Sequence, residues 1–347
     1  MATGNEPPRA APPSDETQNI NRIVRVTAWR ETTPGDPTVF SPKKLNFSQV
    51  VIQDLEIKFK IEHTLRKNPN TCDITIFNCA PDTQAFLNQK PLVCQIAAGY
   101  NGVARLLFEG DVRFAMTELK SPNYETLLQL GDGDCNHRFS RVRRSYRAGT
   151  TIRQVLTDCI SSFGYAMPSN LARDPALDRQ ITGGTVSHGP TKNEIERLLA
   201  PLGYTWSIQN GVFQALGATE AVSGHAWPVD QNHGMIGTPN FGSPPRSGKP
   251  PHMKVRNELY PELTCGCLID LTSKTKSGRY RVEKVTHEGS SIGDGDFVTE
   301  IEIMPISAGA GTQAAAGVDP TKSNPLSSAA AAAAWETFTG VDGKFDI

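Results

Sequence analysis

Three features are scarce in this chain, and each scarcity excludes a class of protein. Neither charge sign is in excess, since 35 lysines and arginines face 36 aspartates and glutamates. Global attraction to nucleic acid or to an anionic membrane is therefore not expected. No stretch approaches the roughly 20 apolar residues that span a bilayer. The first residues also lack a basic region followed by an apolar one, so we expect no secretory signal, no membrane anchor and synthesis in a cytoplasm.

Motifs that would carry catalysis or metal binding are also missing. The seven histidines are scattered, and none has the HExxH or paired-cysteine spacing of a zinc site. The stretch GSSIG over 289–293 matches a hydrolase nucleophile motif, but it lies between two predicted strands and therefore predicts a polar hairpin loop. GDGD occurs at 131–134 and 293–296 without a calcium-binding loop, which predicts two tight turns. We expect no enzyme, no cofactor and no metal.

The seven cysteines are an odd number, so they cannot all pair within one chain. Cys72 and Cys79 are seven residues apart, which places them on opposite faces of a strand and argues against a local clip. Cys265 and Cys267 point the same way on a strand, and two interpretations stay open. They are either two small residues under a loop or a covalent staple between chains. The candidate staple residues are Cys72, Cys79, Cys94, Cys135, Cys265 and Cys267.

The first third of the chain predicts β-structure behind a disordered arm. Residues 1–20 are rich in proline, alanine and polar residues, which is typical of disorder. LEIKFKIEH over 55–63 alternates apolar and charged residues and predicts a half-buried antiparallel strand with one wet face. Further strands follow to about residue 119, interrupted by one short helix at PDTQAFLNQ. A small barrel or sandwich carrying one helix is the expected result.

The middle of the chain changes from strand patterns to mixed helix and strand patterns. Residues 124–149 predict two more strands, and residues 150–225 predict an α+β insert. Its second helix is expected to begin with a capping box at Thr191 and Glu194. Asn210-Gly211 predicts the turn of a hairpin. Strands return after a loop rich in glycine and proline, and an Ala/Gly-rich extension with a short helix is expected over 307–347.

The stretch RFSRVRRSYR is the densest cluster of positive charge. Two uses are open: a strand that contacts nucleic acid, or a face that is solvated or forms salt bridges with a neighbouring subunit. Only Phe139 and Tyr146 are available to stack on bases, which favours the protein interface. The candidate interface residues are Arg138, Arg141, Arg143, Arg144 and Arg147. Trp335 and Phe338, in an otherwise bland extension, are candidates for docking onto a partner.

The order of the pieces is more specific than any one of them. NPNTCDITIFN, AGYNGVARLLFEGDV, GDGDCNHRFSRVRRSYRAGTTIRQVL, LLAPLGYTWSIQNGVFQAL, LYPELTCGCLIDLTS and GRYRVEKVTHEG follow one another with characteristic spacing. Over about residues 21–306 this series resembles the baseplate hub proteins of contractile-tailed bacteriophages. That family includes the late control protein D group and the hub part of the type VI secretion spike. The family often has a Pro-Gly turn where this chain has TCGC, which favours a recruited role for these cysteines.

The resemblance implies a mainly β fold with an α+β insert and two tube-like β-barrel domains. The first barrel domain would span 21–119, and the second would combine 120–149 with 226–306 around the 150–225 insert. Three copies would form a pseudo-six-fold ring that adapts the hexameric tail tube to the trimeric central spike and leaves a channel for DNA. The implied location is the baseplate of the virion, after synthesis in the host cytoplasm. The implied protein partners are the tail tube, the spike, other baseplate subunits and the tape measure protein.

Two other functions remain open at this point. One is a cell-wall hydrolase carried on a spike, because a pair of carboxylates can be invisible in sequence. The other is a nucleic-acid-binding β-barrel, a hypothesis based on the arginine-rich strand.

For the C-terminal extension over 307–347, the expected partner is the spike or an adjacent baseplate subunit.

Overall fold

The computed structural model describes residues 21–31, 47–222, 224–241, 252–292 and 295–306. The strands of the first half are β1 (Arg22–Glu31), β2 (Phe47–Ile52), β3 (Ile57–Thr64), β4 (Thr71–Phe77), β5 (Val93–Tyr100), β6 (Val103–Lys120), β7 (Asn123–Gly131) and β8 (Arg141–Tyr146). Those of the second half are β9 (Thr185–Pro190), β10 (Tyr204–Gln209), β11 (Val212–Gly217), β12 (Ala226–Val229), β13 (Met235–Phe241), β14 (Met253–Glu258), β15 (Leu268–Thr272), β16 (Ser277–Ser290) and β17 (Phe297–Pro305).

Helices are short and concentrate between β7 and β10. The α-helices are α1 (Pro81–Leu87), α2 (Asp134–Phe139), α3 (Ile152–Ser162), α4 (Ser169–Arg173) and α5 (Thr191–Leu199). Single 3-10 turns lie at Pro175–Asp178, Ala200–Leu202 and Gln231–His233. The mainly β class with a small α+β insert is confirmed. The predicted arm over 1–20 and the extension over 307–347 lie outside the described residues.

Local sequence signals explain several elements. The alternation of β3 buries Ile57, Phe59 and Ile61 and leaves the lysines between them exposed. Asn210 and Gly211 form the β10–β11 turn with φ angles of 48° and 76°, as a tight hairpin requires. α1 is the one helix expected between the strands of the first third of the chain.

Two local predictions are wrong in detail. Residues 137–139, expected to begin a strand, are instead the end of α2, which begins at Asp134 within the first GDGD stretch. Thr191 is the first residue of α5 and not its cap, and Pro190 occupies the capping position without a side-chain hydrogen bond. A capping box does form at the start of α3, where the side chains of Thr151 and Gln154 each bond the other's backbone.

One sheet organises the molecule. Its strands follow the hydrogen-bonded order β13-β14-β17-β16-β3-β4-β7-β6-β5-β1-β2, and β15 and β12 continue from the side of β16. Every neighbouring pair is antiparallel except β12 and β15, which run parallel. The antiparallel pairing of β3 with β16 joins the two halves of this sheet. Two further hairpin-like sheets, β8–β9 and β10–β11, belong to the insert.

The residues that the structure describes form three hydrophobic cores. The first collects strands β1 to β7, the second collects residues from β12 to β17, and the third collects β8, α3, α5, β10 and β11. Residues 120–149 were expected to belong with the second of these units. β7 instead pairs with β4 and β6 and buries Leu128 and Leu130 in the first core, while β8 buries Val142 in the third. This segment is therefore shared between the first core and the insert.

Candidate assembly surface

The large sheet contains the same strand order twice, although β1 runs antiparallel to β5 and β12 runs parallel to β15. One unit, here called unit one, has the order β1-β5-β6-β7-β4-β3, and the other, unit two, has the order β12-β15-β16-β17-β14-β13. Ranked by position in the chain within each unit, the two orders are identical. The units follow each other head to tail, because β3 at the end of unit one pairs with β16 inside unit two.

The longest strand of each unit has the same construction. β6 pairs with β5 over residues 103–111 and, along its other edge, with β7 over residues 111–120, and a bulge lies between Val112 and Phe114 where the pairing with β5 has ended. β16 pairs with β15 over residues 277–281 and, beyond a bulge between Val282 and Lys284, with β3 over residues 284–290, while its other edge pairs with β17. A bulge inserts one residue and bends the strand. In both units it marks the point where the strand leaves one neighbour and becomes available to another.

One face of this sheet is polar through both units, and we call it the wet face. Its charged residues include Lys58, Lys60, Glu62, Asp73, Glu118, Lys120, Glu125, Lys254, Arg256, Glu258, Lys284, Glu288, Glu300 and Glu302. Six of these residues are cations and eight are carboxylates, so the two signs nearly balance. A balanced surface neither attracts nor repels a polyanion over long range.

Ion pairs connect neighbouring strands on the wet face. At the seam between the units, Lys284 Nζ lies 3.1 Å from Glu62 Oε2, and Lys60 Nζ lies 3.7 Å from Glu288 Oε2. Within unit two, Lys254 contacts both Glu300 and Glu302, at 2.9 and 3.5 Å. Exposed pairs of this kind contribute about 0–1 kcal/mol each. They define register and local charge more than they stabilise the fold.

Two unpaired strand edges of the large sheet carry exposed apolar side chains. On β6, Phe114 and Met116 are 39% and 36% exposed on the wet face. On β13, Ile236 and Phe241 are 44% and 60% exposed. Among the described residues, no strand pairs with the outer edge of β13 or with the β6 edge opposite β7 beyond residue 112. Unpaired strand edges with apolar residues are templates for pairing with another chain.

The insert is bound to unit one by a buried polar network. The Asp132 carboxylate accepts hydrogen bonds from the backbone N–H groups of Asn210 and Gly211, at 2.5 and 2.9 Å. Asn70 Nδ2 donates to the carbonyl oxygen of Ile208 at 2.8 Å, and Gln209 Nε2 donates to that of Thr64 at 2.8 Å. Burial raises the pKa of Asp132 to about 7 against the opposing effect of these hydrogen bonds.

The Cys265-Gly266-Cys267 motif lies where the insert meets unit two. Gly266 has a φ of 87°, its N–H donates to the Val282 carbonyl oxygen at 2.8 Å, and its own carbonyl accepts from Val222 N–H at 2.9 Å. Gln214 Nε2 donates to the Cys265 carbonyl oxygen at 3.3 Å. Both cysteines are buried in the second core. The motif forms a tight turn under a connecting segment. This arrangement fits the interpretation of the two cysteines as small residues under a loop.

The candidate arginines are divided between two roles. Arg138 and Arg144 form ion pairs inside the insert region, with Asp134 at 2.8 Å and Asp158 at 2.7 Å. Arg141 donates to the carbonyl oxygens of Arg138 and Ser140. Arg143 and Arg147 are exposed on the outer side of β8 and beyond its end. The interface role of these five arginines stays a prediction, and Arg143 and Arg147, which point outward, are its best candidates.

All seven cysteines are free thiols in this chain, and six of them are buried. Burial raises the pKa of Cys94 and of Cys267 to about 12 and raises that of Cys72 and Cys265 well above the usual range. A buried neutral thiol is a poor partner for disulfide exchange. An interchain staple therefore stays a prediction that the geometry favours for Cys135, the exposed thiol. Trp335 and Phe338 lie outside the described residues.

The described part of the chain contains no cluster of histidine, cysteine and carboxylate side chains that could hold a metal ion. None of its helices is both long enough and apolar enough to cross a bilayer.

Sequence reasoning missed the open strand edges at Phe114, Met116 and Ile236. The signal for the β6 edge was in the sequence: apolar residues continue to alternate along β6 beyond Asp111, where its pairing with β5 ends.

No protein-family model matches the chain, and no curated protein matches its sequence. Solved structures do match it. The 43 kDa tail protein of prophage MuSo2 from Shewanella oneidensis superposes with a TM-score of 0.54 at 8% identity, over 80% of this chain and 96% of that one. The chain shares its fold with phage tail proteins. A tail protein from Neisseria meningitidis MC58 gives a TM-score of 0.53 at 6% identity, again over 80% and 96% of the two chains.

A structure of the Francisella PdpA-VgrG complex is also similar. Its TM-score is 0.50 at 7% identity, and the match covers 82% of this chain and 58% of that one. The resemblance to baseplate hub proteins drawn from the order of sequence pieces is thereby confirmed at the level of the fold. At this identity the likeness concerns the path of the backbone.

Proposed function

We propose that this protein is a structural hub subunit of a phage-type tail baseplate. It forms a trimeric ring that joins the hexameric tail tube to the trimeric spike and leaves a channel for DNA. The observation that carries the proposal is the head-to-tail repetition of one strand arrangement in a single sheet. The shared fold with phage tail proteins supports the same conclusion.

The repetition supplies a rule for assembly. Within the chain, the last strand of unit one, β3, pairs with the long strand of unit two, β16. The equivalent partners for the next contact are β13, the last strand of unit two, and β6, the long strand of unit one. Pairing β13 of one copy with residues 114–120 of β6 in the next repeats the seam between molecules. Such a contact is heterologous and closes a ring when the rotation per unit divides a full turn.

The exposed apolar residues lie on the two strand edges that this pairing between copies would bring together. Phe114 and Met116 on β6 would come beside Ile236 of the neighbouring copy. At the seam inside the chain, the equivalent positions of β16 hold Lys284 and Thr286, which face Glu62 and other polar residues of β3. Three copies with two units each give six similar units around the axis, which suits a partner of six-fold symmetry on one side and three-fold symmetry on the other.

The wet face would then line the channel. Its balanced charge allows a polyanion to pass without strong binding, since long-range attraction depends on net charge. The partners of such a ring are the tail tube, the spike, other baseplate subunits and the tape measure protein, and its location is the virion. The role requires no catalysis.

The test is the mass of the full chain by light scattering, with a matched pair of variants. We expect a trimer for the natural sequence and a monomer for Met116→Glu, because a carboxylate would be buried at the strand edge. Val103→Glu places the same change at another exposed position of β6 and should leave the trimer intact. Trimers that tolerate Met116→Glu and Ile236→Glu would exclude this edge as the interface. A monomer at every concentration, with and without its spike, would contradict the ring.

A further inference from the structure

The two-stranded sheet β8–β9 has one side packed on the insert core and one side exposed. Val142 and Ser187 face inward and are buried. The outward side pairs Arg143 with His188 and Ser145 with Val186, and Arg141 lies at the start of β8 and Arg147 just beyond its end. We call this surface the arginine face, and it consists of Arg141, Arg143, Arg147, Val186, His188 and the adjacent Phe139.

Charge on the arginine face is not neutralised by the part of the chain that the structure describes. Arg138 and Arg144, the other members of the cluster, already contact Asp134 and Asp158. Arg141, Arg143 and Arg147 have no carboxylate within ion-pair distance among the described residues. Guanidinium groups are suited to pairing carboxylates bidentately. Arg141 Nη1 already donates to the carbonyl oxygens of Arg138 and Ser140, so among the described residues this capacity is open mainly at Arg143 and Arg147.

Large apolar side chains accompany these cations. Phe139 is 73% exposed at the end of α2, and Val186 is 62% exposed on β9. Isolated exposed apolar residues are ordinary, but an aromatic and a branched residue beside unpaired arginines fit the pattern of an interface core with a charged rim. A ligand for this surface needs both acidic and apolar or aromatic groups. Duplex DNA would satisfy the arginines and leave Phe139 and Val186 without a partner.

The chain itself contains a segment with that composition. Residues 335–347, WETFTGVDGKFDI, hold three acidic residues against one lysine, together with Trp335, Phe338 and Phe345. Residues 307–334 connect this segment to the end of β17 and reach at most about 100 Å when fully extended. That length allows contact with the same chain or with an adjacent copy.

We propose that the arginine face is the docking site for residues 335–347 of this chain. The arginines pair with Glu336, Asp342 and Asp346, and the aromatic residues of the segment cover Phe139 and Val186. The inference goes beyond the proposed function, since it requires neither a ring nor a spike. It gives the C-terminal extension a specific partner surface, and it makes the basic strand a protein-binding element.

Hydrogen exchange of the full-length protein tests this proposal. We expect amides of residues 335–347 to exchange at least about tenfold more slowly than in the same sequence as a free peptide. The double variant Arg143→Glu and Arg147→Glu should bring the exchange to within about twofold of the free peptide, because like charges then repel. Adding Glu336→Lys and Asp342→Lys to that variant should restore protection. Lys274→Glu with Lys276→Glu, an equal charge change on the turn before β16, should have no effect.

Three results would overturn the proposal. Free-peptide exchange rates in the natural sequence would show that the segment does not dock, and protection that survives the arginine reversals would place it elsewhere. Binding of duplex DNA that depends on Arg143 and Arg147, with the segment unprotected, would make nucleic acid the occupant. The mass of the same samples separates this inference from the ring, because a trimer with an unprotected segment contradicts only the docking and a monomer with a protected segment contradicts only the ring.

Discussion

His63 and His287 lie with their ring centroids 6.1 Å apart on the buried side of the seam where β3 pairs with β16. His63 Nε2 is 3.0 Å from the Leu107 carbonyl oxygen, and His287 Nδ1 is 2.9 Å from Thr299 Oγ1. Burial lowers the pKa of His63 to about 4 and that of His287 to about 3. The seam between the two units therefore contains two imidazoles that the folded chain keeps neutral.

This pair predicts a loss of stability in mild acid. As the pH falls below about 6.5, the unfolded chain binds protons that the folded chain refuses, so each histidine removes up to about 1.4 kcal/mol per pH unit until its folded-state pKa is reached. Urea unfolding at pH 7.5, 6 and 5 measures the slope. His63→Gln and His287→Gln should flatten it, and the exposed His188→Gln should not. An unchanged slope in the double variant would assign the acid sensitivity to other groups.

Asp132 contributes with the opposite sign. Its raised pKa means that the folded state holds a proton more tightly, so this contribution is fully present below about 3.8 and is lost as the pH rises through about 7. Asp132→Asn should therefore cost more stability at pH 5 than at pH 8, by on the order of 1–3 kcal/mol. Urea unfolding at both pH values measures the difference, with Asp82→Asn on the exposed start of α1 as the control. An equal cost at both pH values would contradict the raised pKa.

Gly266 should tolerate no side chain. A Cβ there would lie 2.5 Å from Gln214 Nε2 and 2.7 Å from Leu216 Cδ1, and its φ of 87° is strained for other residues. Gly149 has the same φ and open space around its Cβ position, so Gly149→Ala measures the backbone strain alone. Gly266→Ala should cost more than about 1 kcal/mol, and clearly more than Gly149→Ala. Thermal unfolding compares them, and equal losses would show that the contacts with the insert are unimportant.

Cys135 should be the thiol that reacts in the native protein. It is exposed, although partial burial and the neighbouring Asp111 and Asp134 raise its pKa and slow the reaction. Maleimide labelling followed by mass spectrometry should find one modified cysteine per chain before unfolding and seven after. Any interchain disulfide in assembled particles should vanish from non-reducing gels with Cys135→Ser and persist with Cys265→Ser. Rapid native labelling of Cys265 or Cys267 would contradict their burial.

Prediction from sequence succeeded where the signal was local. The alternation in β3, the hairpin turn at Asn210-Gly211 and the short helix at PDTQAFLNQ depend on residues a few positions apart, and each formed as expected. It failed at 120–149, because the alternation of β7 and β8 says which residues are buried but not in which core. The division of the arginines between ion pairs and open surface was equally invisible, since their partners lie on other elements.

The sequence by itself determined the class of this protein: a β-rich chain of balanced charge with an α+β insert and, through the order of its pieces, a likeness to tail hub proteins. Tertiary structure alone decided the features on which assembly depends. The repeated strand order, the seam between β3 and β16 and the open edges at Phe114 and Ile236 all follow from pairings between distant segments, such as Lys284 with Glu62. Each strand offers the same backbone hydrogen bonds to any neighbour, so register and partner are chosen by the packing of the whole sheet.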